Sequence, residues 1–259
     1  MTRESKFLLS ALALLILVTK PAFSLDVDRL QPADIRLAKD TLKILKPFID
    51  SKKSTGAMNL LTFATLDAPL KPEQKNFLDE IRKLDPKLLG ATAHSFAEVP
   101  MDTLFMRVPD QSIRRGSVSI PLPKQYLPLD VYKAYEGMME AMKKDLGKVL
   151  YVDSGYRSPA YQLYLFLRYL PRHRYSLREN NRFVALPGHS EHGAPHHQAI
   201  DFINEEGVNG EDHPEEFEAL PEYTWLTEHA NSHGFFLSYP RGNQWGTSFE
   251  PWHWHYEGK

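Results

Sequence analysis

The chain has 259 residues, 42% of them hydrophobic and 25% charged, with a formal net charge of −2. That profile suits a globular protein of one large or two small domains, and it lacks the basic footprint that broad nucleic-acid binding needs. It has no cysteine, which excludes a disulfide framework, a thiolate nucleophile and a lipid-modified cysteine.

Arg3 and Lys6 precede an apolar run over residues 7–18, and Ala22-Phe23-Ser24 follows as a small-x-small pattern. These are the n-region, h-region and cleavage site of a secretory signal over residues 1–24. Export is therefore expected, to the periplasm or to the extracellular cell wall. The apolar run is too short to span a bilayer comfortably, so no stable membrane span is expected after cleavage, an uncleaved anchor being the alternative. Cleavage would remove three basic residues and one acidic one, leaving the chain more acidic still.

Residues 25–115 read as a mostly helical segment. Ile35, Ala38, Leu42, Leu45 and Phe48 recur at three- and four-residue steps, which predicts a helix over 32–48. Phe77, Leu78, Ile81 and Leu84 form a second stripe, entered through Lys71-Pro72-Glu73. Catalytic residue types do not gather here, so a packing or positioning role is expected.

The pattern changes near Arg114. Residues 117–120 read as a short strand. A helix follows with Val131, Tyr135, Met138, Met142 and Leu146 on one face, closed by Gly147; its methionines are core filler at helical spacing. Residues 149–152 predict a strand running into Asp153-Ser154-Gly155-Tyr156-Arg157. Ser158 then caps a helix with Pro159 at its first position. Residues 171–188 look polar and irregular. Ala199-Ile200-Asp201-Phe202-Ile203 reads as a buried strand interrupted by one carboxylate.

Eight acidic residues with Gly207, Gly210 and Pro214 predict a solvated loop over 204–222, without the spacing of an EF-hand. A helix over 225–233, stopped by Gly234, and strands over 235–239 and 252–256 complete the chain. Strands and helices do not alternate regularly, which favours α+β over a doubly wound sheet.

The chemistry concentrates late. His192, Asp201 and His253 are candidate metal ligands from three separate segments. Two imidazoles and one carboxylate with an open fourth position suit catalytic Zn²⁺. Hydrolysis at such a centre also needs a carboxylate that accepts a proton from water and passes it to the leaving amine, and Glu250 is the candidate. In a regular strand Glu250 and His253 would face opposite ways; Pro251 permits an irregular backbone that aims both inward. Singly these residues are weak signals in a chain with 11 histidines. A carboxylate inside the apolar 199–203 stretch is harder to dismiss, because burying it unpaired is costly. Trp252, Trp254 and Tyr256 share one parity, and the tryptophans are assigned to packing.

Ser154-Gly155-Tyr156-Arg157-Ser158 with Gln162, Pro187-Gly188-His189-Ser190-Glu191-His192, Ala199-Ile200-Asp201, Gly234-Phe235-Phe236-Leu237-Ser238-Tyr239-Pro240 and Glu250-Pro251-Trp252-His253-Trp254 resemble the VanY-type D-alanyl-D-alanine carboxypeptidases. These are zinc peptidases related to lysostaphin and the hedgehog domain. The resemblance covers about residues 116–258 and implies a small antiparallel sheet with helices packed on it, over a domain 116–259. It implies zinc on His192, Asp201 and His253, Glu250 as general base, and Arg157 at the substrate carbonyl or developing oxyanion. Ser190 would contact substrate, while Gln162 and Tyr156 would position the site.

The implied activity is removal of the terminal D-amino acid from peptidoglycan stem peptides. L,D-carboxypeptidase or endopeptidase action on the same polymer, and a zinc-containing binding module without catalysis, are the alternatives. One departure stands out. The resemblance implies seven positions from the first histidine to the aspartate, and here there are nine. This makes His196 an alternative ligand, with His197 behind it; both could instead line the cleft.

Overall fold

The computed structural model describes residues 25–90, 102–244 and 247–258; the secretory-signal expectation for residues 1–24 falls outside them. Among the described residues no helix is long and apolar enough to cross a membrane.

Three helices open the described chain: α1 (Pro32–Lys53), α2 (Phe63–Asp67) and α3 (Pro72–Arg82). α1 starts on Pro32, whose missing N–H costs nothing at a helix N-terminus. It runs past the expected end through Pro47 because Leu45 and Ile49 are fully buried on either side of it. Two hairpins follow. β1 (Phe105–Arg107) pairs with β4 (Tyr126–Pro128), and β2 (Ser112–Arg115) pairs with β3 (Val118–Pro121) inside that loop.

α4 (Leu129–Leu146) buries Val131, Tyr135, Met138 and Met142 of the predicted stripe but leaves Leu146, in its last turn, exposed, and ends on Gly147 in the left-handed conformation at φ +70°. That is the geometry glycine supplies without a Cβ clash. β5 (Leu150–Ser154) leads to α5 (Pro159–Tyr169), where the Ser158 hydroxyl accepts from the Tyr161 N–H as the capping pattern predicts. After the short α6 (Leu177–Asn181) come β6 (Ala199–Asn204), α7 (Pro214–Glu218), α8 (Pro221–His229), β7 (Phe235–Leu237) and β8 (His253–Tyr256).

β5, β6, β8 and β7 form one four-stranded sheet in that order, every pair antiparallel. The architecture is therefore α+β, a small antiparallel sheet with helices on it, preceded by a mostly helical segment. Two hydrophobic cores flank the site. One packs α4 and α8 on the sheet through Met138, Phe202, Leu226 and Trp254. The other packs α1 and α3 against α5 through Leu45, Ile49, Leu78 and Phe166. The N-terminal helices thus form the back layer of α5, the helix that leaves the site. Asn59 fastens them there: its carbonyl accepts from the Ser158 N–H at 2.9 Å and its amide donates to Gln125 Oε1 at 3.2 Å.

The acidic 204–222 stretch is not wholly a loop. Pro214 starts α7, Phe217 is fully buried, and Glu222, buried in α8, receives Lys148 at 3.2 Å. The charges lie around one apolar anchor that composition alone understates. The two last strands are also shorter than predicted. β7 stops at Leu237, just before Ser238, whose hydroxyl donates to Glu191, and β8 starts only at His253 after a turn.

Candidate metal centre and catalytic cleft

β6 and β8 are paired so that Asp201 lies directly across from His253. Cross-strand partners share a face, and His253 Nδ1 sits 2.8 Å from Asp201 Oδ1. His192 arrives from outside the sheet, on a 3₁₀ turn at Glu191–Gly193. That turn is fixed to the strand–helix junction, since His192 O accepts from the Arg157 N–H at 2.9 Å. The His192 ring Nδ1 lies 2.8 Å from Gly155 O.

The carbonyl can only accept, so His192 carries its proton on Nδ1 and presents a lone pair on Nε2. This Nε2 is buried and has no hydrogen-bond partner, although Asp201 Oδ2 is 3.1 Å away. His192, Asp201 and His253 each place one ligand atom within 4.8 Å of the others. An orphaned imidazole lone pair facing a carboxylate is what a cation between them would satisfy. A His₂–carboxylate donor set fits a catalytic metal with an open position. His196 is exposed and belongs to no such group; His197 falls in a second one, with Glu191 and His255.

Glu250 and His253 reach the same side because they bracket a turn. The His253 N–H donates to Glu250 O at 3.1 Å, and the Glu250 N–H donates to Tyr239 O at 3.1 Å. Pro251 occupies the position after Glu250, where its fixed φ favours such a turn. The opposite-face problem of a regular strand therefore does not arise. Glu250 Oε2 lies 3.8 Å from His253 Nδ1.

Arg157, Gln162 and Ser190 line one cleft of about 760 Å³ together with His192, Asp201, Glu250 and His253. Gln162 donates from Nε2 to Ala185 O at 2.8 Å, which leaves its Oε1 buried and unpaired. Tyr156 is not on the cleft wall; its ring is buried 4.2 Å from that of Phe105. Gly155 is required beside it, because a Cβ there would lie 2.6 Å from Tyr126 O. Trp254 packs in the core, with its indole N–H on Pro251 O at 2.9 Å, whereas Trp252 contributes to the cleft wall.

The cleft continues along α5, past Leu165, Arg168 and Tyr169, facing Asn209, Glu211 and Asp212. Met58 and Asn59 of the N-terminal segment close part of it.

Electrostatics separate the carboxylates. Burial pushes Glu250 up to about 7, against the opposing pull of His253 and Arg157. Asp201 is buried as well, but the two histidines beside it outweigh burial and hold it far below the ordinary range. Burial, helped by Arg157, lowers His192 to about 4. For His253 burial acts downwards, yet Asp201 and Glu191 prevail and raise it to about 10. One carboxylate is kept ionised and the other poised near neutrality, which is the division of labour between a ligand and a general base.

Sequence reasoning missed two residues. Glu191 is buried between His197, His253 and Ser238, and Tyr239 lies with its ring 4.9 Å from that of His253. Glu191 adjoins His192, which in an extended segment puts it on the opposite face; only the 3₁₀ turn and the return of β8 bring it under the site. Tyr239 falls just beyond β7, where no strand parity applies.

A metal-ready cluster of two histidines and a carboxylate, with a second carboxylate near neutrality, has the layout of a metal-dependent hydrolase. The family model for VanY, D-alanyl-D-alanine carboxypeptidase, matches residues 124–259. The chain belongs to this family. It is 32% identical over 143 residues to YodJ of Bacillus subtilis (strain 168), a match covering 53% of this chain and 49% of that protein. It is 31% identical over 146 residues to the bifunctional D-Ala-D-Ala dipeptidase and D-Ala-D-Ala carboxypeptidase VanXYC of Enterococcus gallinarum, covering 51% and 68%. The chain therefore spans about half the length of the first of these relatives.

Among solved structures it is similar to the LD-carboxypeptidase LdcB, with a TM-score of 0.49, 26% identity, and 64% and 72% of the two chains covered. A zinc-bound mutant of the D,D-pentapeptidase VanY gives 0.43, 22%, 62% and 83%.

Proposed function

We propose that the protein is a zinc-dependent carboxypeptidase that removes the terminal D-amino acid from peptidoglycan stem peptides, with Glu250 as general base. The observation that carries this reading is the convergence of His192, Asp201 and His253, each with one ligand atom within 4.8 Å of the others, beside a carboxylate raised to about 7. Family membership supplies the substrate class.

Zinc held by His192, Asp201 and His253 would supply a Lewis acid for the scissile carbonyl and acidify a water at the open position. Glu250 would take the proton from that water and return it to the leaving amine. A base near 7 suits both halves, because it is ionised in part at neutral pH and its conjugate acid still donates. Arg157 keeps its charge and presents a rigid donor fork, so it stabilises the oxygen on which negative charge develops. Ser190 and Gln162, on the cleft wall, would meet the peptide. The wall along α5 takes the upstream residues of the stem, which in an extended chain advance about 3.3 Å each.

Glu250 and Arg157 share the cleft, which weighs against a binding module that has lost hydrolysis. Residues 1–24, read as a secretory signal, would send the enzyme outside the cytoplasm, where this substrate is. The domain then runs over 116–259, with the described residues 25–90 buttressing α5 and Met58 and Asn59 narrowing the cleft.

The test is zinc content together with product release from a defined muropeptide panel containing pentapeptides, tetrapeptides and cross-linked dimers. D-alanine from pentapeptides is expected. Release from tetrapeptides alone would replace the reading with L,D-carboxypeptidase action, and cleavage of cross-links with endopeptidase action. Bound zinc without any product would favour the binding module.

A further inference from the structure

His253 can offer a metal either ring nitrogen, and the structure contains a group that decides between them. Behind His253, on the side away from Asp201, lies the buried carboxylate of Glu191. Its Oε2 is 2.8 Å from His253 Nε2 and accepts the Ser238 hydroxyl proton at 2.6 Å; its Oε1 is 3.1 Å from His197 Nε2. An ionised carboxylate only accepts, so all three partners must donate. His253 therefore keeps a proton on Nε2. Its neutral form then carries a bare lone pair on Nδ1, the atom that faces Asp201.

His197 ends the 3₁₀ turn Pro195–His197, between His192 and Asp201. Its ring stacks on His255 with centroids 4.0 Å apart and planes at 28°. His255 Nδ1 lies 2.7 Å from the Ser238 Oγ that already donates to Glu191. With that hydroxyl proton committed, His255 Nδ1–H must be the donor to Ser238. The carboxylate is thus gripped from two sides, directly by His197 and through Ser238 by His255.

We propose that Glu191 is the positioning residue that selects which nitrogen of His253 meets the metal, and that His197, carried on the 3₁₀ turn Pro195–His197, holds Glu191 in that pose. The inference rests on the metal reading of the site. A carboxylate behind a ligating imidazole locks its tautomer and ring orientation and makes it a better donor. Loss of such a partner weakens metal binding roughly 10–100-fold.

The full chain is stripped of metal and its zinc dissociation constant is measured by chelator competition at one pH, with stoichiometry, for wild type, Glu191→Ala, Glu191→Gln and His197→Ala. Thermal unfolding of the metal-free variants controls for the fold. Wild type should bind one zinc. Glu191→Ala should bind it roughly 10–100-fold more weakly. Glu191→Gln, which keeps one acceptor oxygen, should recover part of the loss, a rescue that a merely space-filling role would not give. His197 lies at the solvent edge of the network, with a side chain 30% exposed. His197→Ala should therefore fold even where Glu191→Ala does not, and still weaken zinc measurably.

Unchanged zinc affinity in a folded Glu191→Ala or His197→Ala variant overturns the proposal while leaving the proposed function intact. Two zinc ions per wild-type chain, the second lost in His197→Ala, overturn it differently, by making Glu191, His197 and His255 a metal site themselves. A wild-type chain that binds no zinc sinks the site reading and this inference together.

Discussion

Replacing Glu250 by glutamine separates the base from the metal more cleanly than any other change in this cleft. The substitution preserves volume, and the backbone at 250 is held independently of the side chain through Tyr239 O and the His253 N–H. The turn that aims His253 should therefore survive, and zinc should stay bound. What disappears is the proton acceptor, and positioned acid–base groups contribute about 10²–10⁴-fold to rate.

The wild-type group is pushed up to about 7 by burial, so about one-tenth is ionised at pH 6 and about nine-tenths at pH 8. Activity that needs the ionised form should rise roughly tenfold across that interval. The positive charge of a bound zinc moves the limb downwards, never upwards. The assay is kcat and kcat/KM for D-alanine release at saturating zinc, from pH 5 to 9, with zinc content measured on the same samples. A zinc-loaded Glu250→Gln variant within tenfold of wild type would refute the assignment, and so would a residual activity that keeps the same acid limb.

Further outcomes follow from other contacts. His192→Ala should abolish stoichiometric zinc binding whereas His196→Ala, at an exposed position outside the cluster, should leave it unchanged; the reverse would reassign the ligand. Arg157→Lys keeps the charge but loses the donor fork, so kcat should fall about 10²-fold or more with zinc retained; an effect on KM alone would deny it the oxyanion role. Gly155→Ala would place a Cβ 2.6 Å from Tyr126 O and 3.0 Å from Leu127 Cδ2, and overpacking of this kind costs about 1–3 kcal/mol, visible as a lower denaturant midpoint.

In the metal-free protein, Asp201 is held below its unfolded value and His253 above it. The stabilisation from Asp201 is present above about pH 4 and is lost as pH falls further; that from His253 is complete below 6.5 and fades as pH rises towards about 10. Melting temperature of the stripped chain should therefore decline above pH 7 more steeply than in His253→Gln.

Much of this protein is legible in its residues because the signals are local. Stripes at helical spacing, Ser158-Pro159 at a helix start and Gly147 at a helix end act within a few residues, and they locate α1, α3, α4 and α5, whereas Gly234 ends the 3₁₀ turn Ala230–His233 that follows α8 and not α8 itself. The cleft candidates stood out for a different reason: a carboxylate inside the apolar 199–203 stretch is costly unless paired, and the ordered motifs that resemble the VanY-type family mark Arg157, His192, Glu250 and His253.

Pairing and packing lay beyond reach. Asp201 and His253 are 52 positions apart, and only the β6–β8 register makes them neighbours. The same register, with the 3₁₀ turn at Glu191–Gly193, carries Glu191 under His253 and His197 onto His255. Tyr156 reads as a site residue from its neighbours, yet packing sends its ring to Phe105. Phe217, one apolar residue among many acidic ones, organises a helix that composition hides. Sequence determined which chemistry this chain carries, because side-chain type is intrinsic; tertiary structure decided which nitrogen, which face and which neighbour, because those depend on long-range pairing that no local pattern encodes.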